Sequence, residues 1–248
     1  FHAAGGKTFN YDESDIGKIY TYRVKESSES GDGITVDPAE YTVSVAVTDP
    51  KHDGNLLVTP SVAVAKDTHD HAIPSAKANK DATVEGLAFT NDYETTGEVV
   101  FEGTKTLENR AFKDGDSLRI QVEVDSDNAD DLPSGLDEDG AIEVTLGSGD
   151  DTADFEFDRI TYHYTAADLD ENGRKVLTYT FTEAAEMDGA LPKAGADTYT
   201  VTVILSDDGQ GNLNPRVDYG AGNTGIRFTN TYSAEGSLEL GGAKHIEN

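Results

Sequence analysis

The stretch GLAFTNDY at 86–93 returns as GIRFTNTY at 225–232, so Asn91 and Asn230 lie 139 residues apart in a chain of 248. VVFEGTKTLEN at 99–109 returns as LELGGAKHIEN at 238–248, with Lys105 and Lys244 at the same 139-residue spacing. A third match joins YTYRVKE at 20–26 to LTYTFTE at 177–183 and sets Glu26 and Glu183 157 residues apart. The offset changes because the loop from about Ala65 to Glu85 is longer than its counterpart. Self-similarity at the spacing of a whole domain means tandem modules rather than a solenoid of small units. The expected organisation is an incomplete module at 1–95 whose first strands are missing, a complete module at 96–234, and the opening strand of a third at 235–248. Both ends read as cut.

The repeated units are written in strands. YTYRV at 20–24, YTVSVAV at 41–47, LRIQVEV at 118–124, LTYTF at 177–181 and YTVTVIL at 199–205 alternate apolar and polar residues. Period-two alternation rich in branched and aromatic side chains marks half-buried antiparallel strands. Turn clusters such as Asp53-Gly54-Asn55 and Asp208-Gly209-Gln210-Gly211-Asn212 separate them. No helical period of useful length competes, and the acidic stretch from Asp125 to Gly140 reads as an exposed loop. The fold class is therefore all-β, as tandem immunoglobulin-like β-sandwich modules.

Composition narrows the function classes. With no Cys, the chain has no disulfides, thiolate metal sites or cysteine nucleophiles. Its 48 Asp and Glu against 19 Lys and Arg give a net charge of −29, which repels nucleic-acid backbones and anionic membranes. No apolar run approaches the roughly 20 residues of a membrane span, and the opening residues do not read as a signal peptide.

Three kinds of polar residue fall on the apolar rows of these strands. The row Val99, Phe101, Gly103, Lys105, Leu107 recurs as Leu238, Leu240, Gly242, Lys244, Ile246. The glutamates close the rows Tyr20, Tyr22, Val24, Glu26 and Leu177, Tyr179, Phe181, Glu183. The asparagines sit in Leu87, Phe89, Asn91, Tyr93 and in Ile226, Phe228, Asn230, Tyr232. Alternate side chains share a face, so each of these residues is aimed where its hydrophobic neighbours point. Burying a lone Lys costs several kcal/mol. A lysine, a carboxylate and an amide directed inward in two copies call for a chemical reason.

An intramolecular isopeptide bond is such a reason. Burial favours the neutral amine of a lysine and the neutral acid of a carboxyl group. A neutral amine can attack the side-chain amide carbon of Asn. A protonated Glu beside that amide can polarise its carbonyl and pass a proton to departing ammonia. Fixed positioning in a folded core supplies the effective molarity.

GTKTLENR at 103–110, YTFTE at 179–183 and RFTNTY at 227–232 together resemble the streptococcal-type pilin isopeptide-linkage domain of Gram-positive pilus shafts and surface adhesins. That resemblance implies a lysine on the first strand, an asparagine on the last and a catalytic core glutamate. On this chain it implies a Lys105–Asn230 bond with Glu183 as catalyst. It also implies the partial sets Glu26 with Asn91, and Lys244 alone. Lys244 could then link head to tail to Asn91 of another copy. The implied role is a structural stalk or fibre segment on the extracellular surface of a Gram-positive bacterium, whose partners are neighbouring modules or copies of itself. Its only catalysis would be single-turnover bond formation, without cofactor or metal. A Tyr-Pro-Lys polymerisation motif is absent, which favours a multi-module adhesin stalk over a sortase-polymerised major pilin.

Other features read more plainly. Asp168-Leu169-Asp170-Glu171-Asn172-Gly173 opens like a calcium loop, but Tyr179 stands where the bidentate Glu belongs, so a turn is expected. His69 and His71 flank Asp70 in the long loop, a weak metal signal by sequence. The alternative function is a ligand- or glycan-binding adhesin module that contacts a host surface ligand through its loops, with Ala65–Glu85 as the candidate.

Overall fold

The structure is a computed structural model that describes residues 7–186, 190–192, 197–220 and 222–247. Among the described residues there is no α-helix, only three single 3₁₀ turns between strands, so the chain is all-β. It divides into two compact units, Phe1–Tyr93 and Glu94–Asn248.

The first unit contains β1 (Ile19–Lys25), β2 (Ile34–Thr35), β3 (Glu40–Thr48), β4 (Leu57–Ala65), β5 (Ser75–Lys77), β6 (Thr83–Glu85) and β7 (Asp92–Tyr93). β1, β3 and β4 form an antiparallel sheet in that order, while β2 pairs β7 and β5 pairs β6. The central strand β3 alternates buried and half-buried residues along its length, as period two dictates when one face is covered. The edge strand β1 never reaches full burial on either face. Val43, Val45 and Val58 are the buried centre of this small core.

The second unit contains β8 (Thr95–Val99), β9 (Glu102–Glu108), β10 (Ser117–Val124), β11 (Ala141–Val144), β12 (Thr152–Glu156), β13 (Ile160–Tyr164), β14 (Arg174–Glu186), β15 (Ala190–Pro192), β16 (Thr198–Asp207), β17 (Leu213–Asp218) and β18 (Ile226–Tyr232). Five strands form one sheet in the order β11-β10-β14-β16-β17, and four form another in the order β12-β9-β18-β15. Both sheets feed one core: Leu118, Ile120, Tyr179, Phe181 and Val203 from the first, Phe101, Leu107, Phe155, Ile226 and Phe228 from the second region. Phe181 touches both Phe101 and Phe157, with ring centroids 5.2 and 5.1 Å apart.

The first and last strands of the four-stranded sheet, β9 and β18, lie side by side and parallel, with Lys105 opposite Phe228 and Leu107 opposite Asn230. That pairing needs a close approach at Gly103. A Cβ there would stand 2.4 Å from the Phe155 ring and 2.5 Å from the Ile226 carbonyl oxygen, so only glycine fits.

The acidic stretch 125–140 departs from the expected exposed loop at its centre, where Asp131 and Pro133 are buried and Leu132 and Leu136 pack half-buried against the core. Asp131 is fully buried, and its carboxylate accepts hydrogen bonds from the hydroxyls of Tyr164 (2.6 Å) and Ser126 (2.5 Å). Tyr179 donates to the Asp131 carbonyl (2.6 Å), which leaves the Tyr162 hydroxyl to donate to Tyr179 (2.8 Å). A loop carboxylate thus becomes the polar anchor of the core's edge, satisfied as buried polar groups must be. Asp168–Gly173 forms the expected turn, with Asp170 accepting from the backbone N–H groups of Asn172 and Arg174.

Candidate isopeptide site

Three strands bring the predicted lysine, glutamate and asparagine of the second unit together. Lys105 comes from β9, Asn230 from β18 beside it, and Glu183 from β14 in the other sheet. Because Lys105 faces Phe228, Asn230 is its same-face neighbour two residues along the adjacent strand, within range of a long side chain. Lys105 is completely buried and Asn230 is 1% exposed, and the Glu183 side chain has no accessible surface.

The contacts converge on one oxygen. Lys105 Nζ donates to Glu183 Oε1 at 2.8 Å, and Asn230 Nδ2 donates to the same oxygen at 2.8 Å. Glu183 Oε2 and Asn230 Oδ1 are buried without a hydrogen-bond partner among the described residues. Such orphaned acceptors are costly, which marks a site set up for something other than static stability. Burial pushes the Lys105 ammonium below its ordinary value of 10.5, against the opposing pull of Glu183. The lysine therefore lies nearer to the neutral, nucleophilic amine than an exposed lysine does.

The first unit holds the same carboxylate–amide contact. Asn91 Nδ2 donates to Glu26 Oε1 at 3.0 Å, and Glu26 Oε2 is again a buried acceptor without a partner. Among the described residues no lysine bonds to Glu26. The Asn91 amide oxygen differs from that of Asn230, since it accepts from the backbone N–H of Asp37 at 2.9 Å. Sequence pattern gave no sign of Asp37, which is buried and takes backbone N–H bonds from Ala39 (2.8 Å) and Thr90 (2.6 Å). Its only cue is the Asp-Pro pair that opens the turn before β3.

Lys244 is not brought to either pair. Residues 233–247 form no strand in the single chain, and Leu238, Leu240 and Ile246 of the repeated row are more than four-fifths exposed.

The sequence matches the family described as the Spy0128-like isopeptide containing domain, FctA, over residues 4–94 and 101–233. The chain belongs to this family. One matched stretch of the isopeptide containing domain carries Glu26 and Asn91, the other carries Lys105, Glu183 and Asn230, and Lys244 lies beyond both. No curated protein matches the chain. Among solved structures, the major pilin protein (T-13) from Streptococcus pyogenes is similar at 16% identity, covering 92% of this chain and 70% of that one, with a TM-score of 0.21.

Proposed function

We propose that this protein is a structural stalk or fibre segment of a Gram-positive pilus or surface adhesin, built from tandem immunoglobulin-like β-sandwiches and stiffened by a Lys105–Asn230 isopeptide bond. The observation that carries the reading is the shared oxygen: a buried amine and a buried side-chain amide, each 2.8 Å from Glu183 Oε1. Family membership supports the same chemistry.

The step balances without a co-reactant. The Lys105 proton passes to Glu183, and the free amine attacks Cγ of Asn230. With the amide turned so that Oδ1 rather than Nδ2 meets the protonated Glu183, the acid donates to the developing oxyanion. Glu183 then relays a proton from the attacking Lys105 nitrogen to Nδ2, the Cγ–Nδ2 bond breaks, and ammonia leaves. One N–C bond forms and one breaks, and a buried charge pair becomes a neutral amide. Glu183 keeps the proton it first took from Lys105 and ends as the neutral acid, while the lysine and asparagine are consumed, so each site turns over once.

Glu26 and Asn91 form the corresponding pair of the first unit, and Lys244 is the repeat's first-strand lysine. A strand carrying Lys244 completes a further module of a longer array, or enters the open first unit of another copy and links copies head to tail. Denaturing gels distinguish the two: bands at multiples of 26.5 kDa indicate linkage between copies, and clean monomers exclude it.

The direct test of the main reading is the intact mass of the purified chain beside a Glu183→Ala variant. Loss of ammonia lowers the parent by about 17 Da, and the variant keeps its full mass. A parent at full mass refutes the proposal.

A further inference from the structure

The first unit contains a second convergent cluster, whose side chains are not those of the isopeptide chemistry. Asp37, His69 and His71 each offer a ligand atom, and the three atoms lie within 4.8 Å of one another. Asp37 comes from the segment before β3, and the histidines from the long loop after β4. The Asp37 side chain is fully buried, and that of His71 is 7% exposed. His71 Nε2 stands 3.4 Å from Asp37 Oδ2, and His69 Nδ1 stands 3.8 Å from Asp37 Oδ1. Ligand atoms bound at about 2.0–2.1 Å around a tetrahedral ion are separated by about 3.3 Å, so atoms now within 4.8 Å of one another close by at most about 1.5 Å, within reach of side-chain rotation.

The outward nitrogens are held in the way a metal site requires. His71 Nδ1 is 2.9 Å from Asp67 Oδ1, and His69 Nε2 is 3.2 Å from Asp92 Oδ2. A carboxylate accepts only an N–H, so each outer nitrogen carries a hydrogen; the inner nitrogens also face a carboxylate, that of Asp37, and an ion bound between them takes the place of the protons it would otherwise draw there. The hydroxyls beside the inner nitrogens fit that tautomer: Thr90 Oγ1 is 3.1 Å from His71 Nε2, and Thr68 Oγ1 is 3.2 Å from His69 Nδ1. Asp67 also accepts the backbone N–H groups of His69 (3.0 Å) and His71 (2.7 Å), which fixes the loop carrying both ligands. Two histidines, each backed by a carboxylate and facing a third, form the carboxylate–histidine–metal arrangement.

We propose that Asp37, His69 and His71 bind a first-row divalent metal ion of the zinc class, with water or the Thr90 hydroxyl as the fourth ligand. Imidazole and carboxylate donors with no thiolate suit Zn²⁺ and do not suit Ca²⁺ or Mg²⁺, which take oxygen ligands. The ion ties the 67–71 loop to Asp37, whose backbone N–H holds the amide oxygen of Asn91. The metal thus fixes Asn91 against Glu26, in a unit where no described lysine bonds to that glutamate. It supplies a cross-link to a cysteine-free chain by a second chemistry.

The test is Zn²⁺ titration of the metal-free full chain in excess Ca²⁺, which occupies the acidic surface, followed by bound-metal analysis. The expected result is about one tightly held Zn²⁺ per chain, a Co²⁺ derivative with the intense visible absorption of a four-coordinate site, and a melting temperature that rises with Zn²⁺ and falls back with EDTA. His69→Gln and His71→Gln should abolish binding, with circular dichroism reporting that they fold. Asp92 is two-thirds exposed, so Asp92→Asn leaves folding intact and should weaken binding about 10–100-fold. No saturable Zn²⁺ binding, or equal binding by the parent and the His69→Gln/His71→Gln double variant, overturns the proposal.

Discussion

The stabilisation that the proposed Lys105–Asn230 bond would supply can be worked out from chain topology and measured against a variant that keeps the core's shape. The bond spans 125 residues. Closing a loop of that length removes about 16 cal/mol/K from the unfolded ensemble, or about 5 kcal/mol at room temperature, by the loop-entropy relation used for disulfides. For a unit of this size that is about 10–20 °C in melting temperature. The comparison should not confuse loss of the link with exposure of an unpaired charge. Lys105→Met/Glu183→Gln removes the nucleophile and the acid together, retains the lysine stem's volume, and leaves an amide to meet Asn230. Replacing a buried ion pair by neutral groups is commonly neutral or stabilising, so a loss in the double variant is assigned to the link. Calorimetry on parent and variant, each checked by intact mass, gives the shift. A parent that has lost ammonia yet melts within about 3 °C of the double variant refutes the loop-entropy argument while leaving the chemistry intact.

Gly103→Ala should cost about 1–3 kcal/mol through the clash with Phe155 and Ile226, and by displacing β9 should leave part of the chain with unreacted Lys105, both visible by melting and mass. Asp131→Ala strands the buried Tyr164 hydroxyl and should lower stability by on the order of 2–3 kcal/mol, read from the urea midpoint, whereas a surface carboxylate such as Asp130 should change it little. In the unlinked Glu183→Gln variant, burial holds Lys105 below its ordinary value, so the folded state binds fewer protons than the unfolded one. Stability should therefore climb with pH from that lowered value up to about 10.5 and level off above it, and urea titrations giving a flat profile would contradict the assignment.

The parts of the site that were legible in the sequence are those governed by parity. Lys105, Leu107, Phe181, Glu183, Phe228 and Asn230 were placed inward by alternation alone, and all are buried. Alternation reports which residues share a face and is silent on whether anything covers that face. That is why the same rule overstated the burial of Tyr20, Tyr22, Glu26 and Asn91, which lie half-buried in a unit whose main sheet has three strands. It also explains why Leu238, Leu240 and Ile246 stand in solvent. Asp37 and Asp131 were invisible for a different reason. Aspartate is ordinarily a turn residue, and their burial depends on donors remote in sequence, Thr90 for the first and Tyr164 for the second. The parallel register of β9 and β18 likewise belongs to tertiary structure, since no local pattern encodes which distant strand lies alongside.

That register decides what an isopeptide bond at this place can do mechanically. In a parallel pair, tension entering at the start of β9 and leaving at the end of β18 loads every hydrogen bond of the ladder in shear, because the two points of application lie at opposite ends. A ladder in shear resists until several bonds fail together, and then releases the whole intervening chain, about 400 Å if fully extended. A covalent bond from Lys105 to Asn230 crosses this same pair of strands, so force that has entered β9 passes to β18 without running through the chain of β10 to β17, which is tied to the loaded path only by strand pairing, as where β13 pairs with β8, the strand that leads into β9. Those strands then need only the stability of an ordinary folded unit. The closed core around the proposed bond and the separate sheet that supplies Glu183 follow from one arrangement: the first and last strands of the four-stranded sheet in chain order are neighbours, and the Glu183 carboxyl stands across from them on β14 of the other sheet.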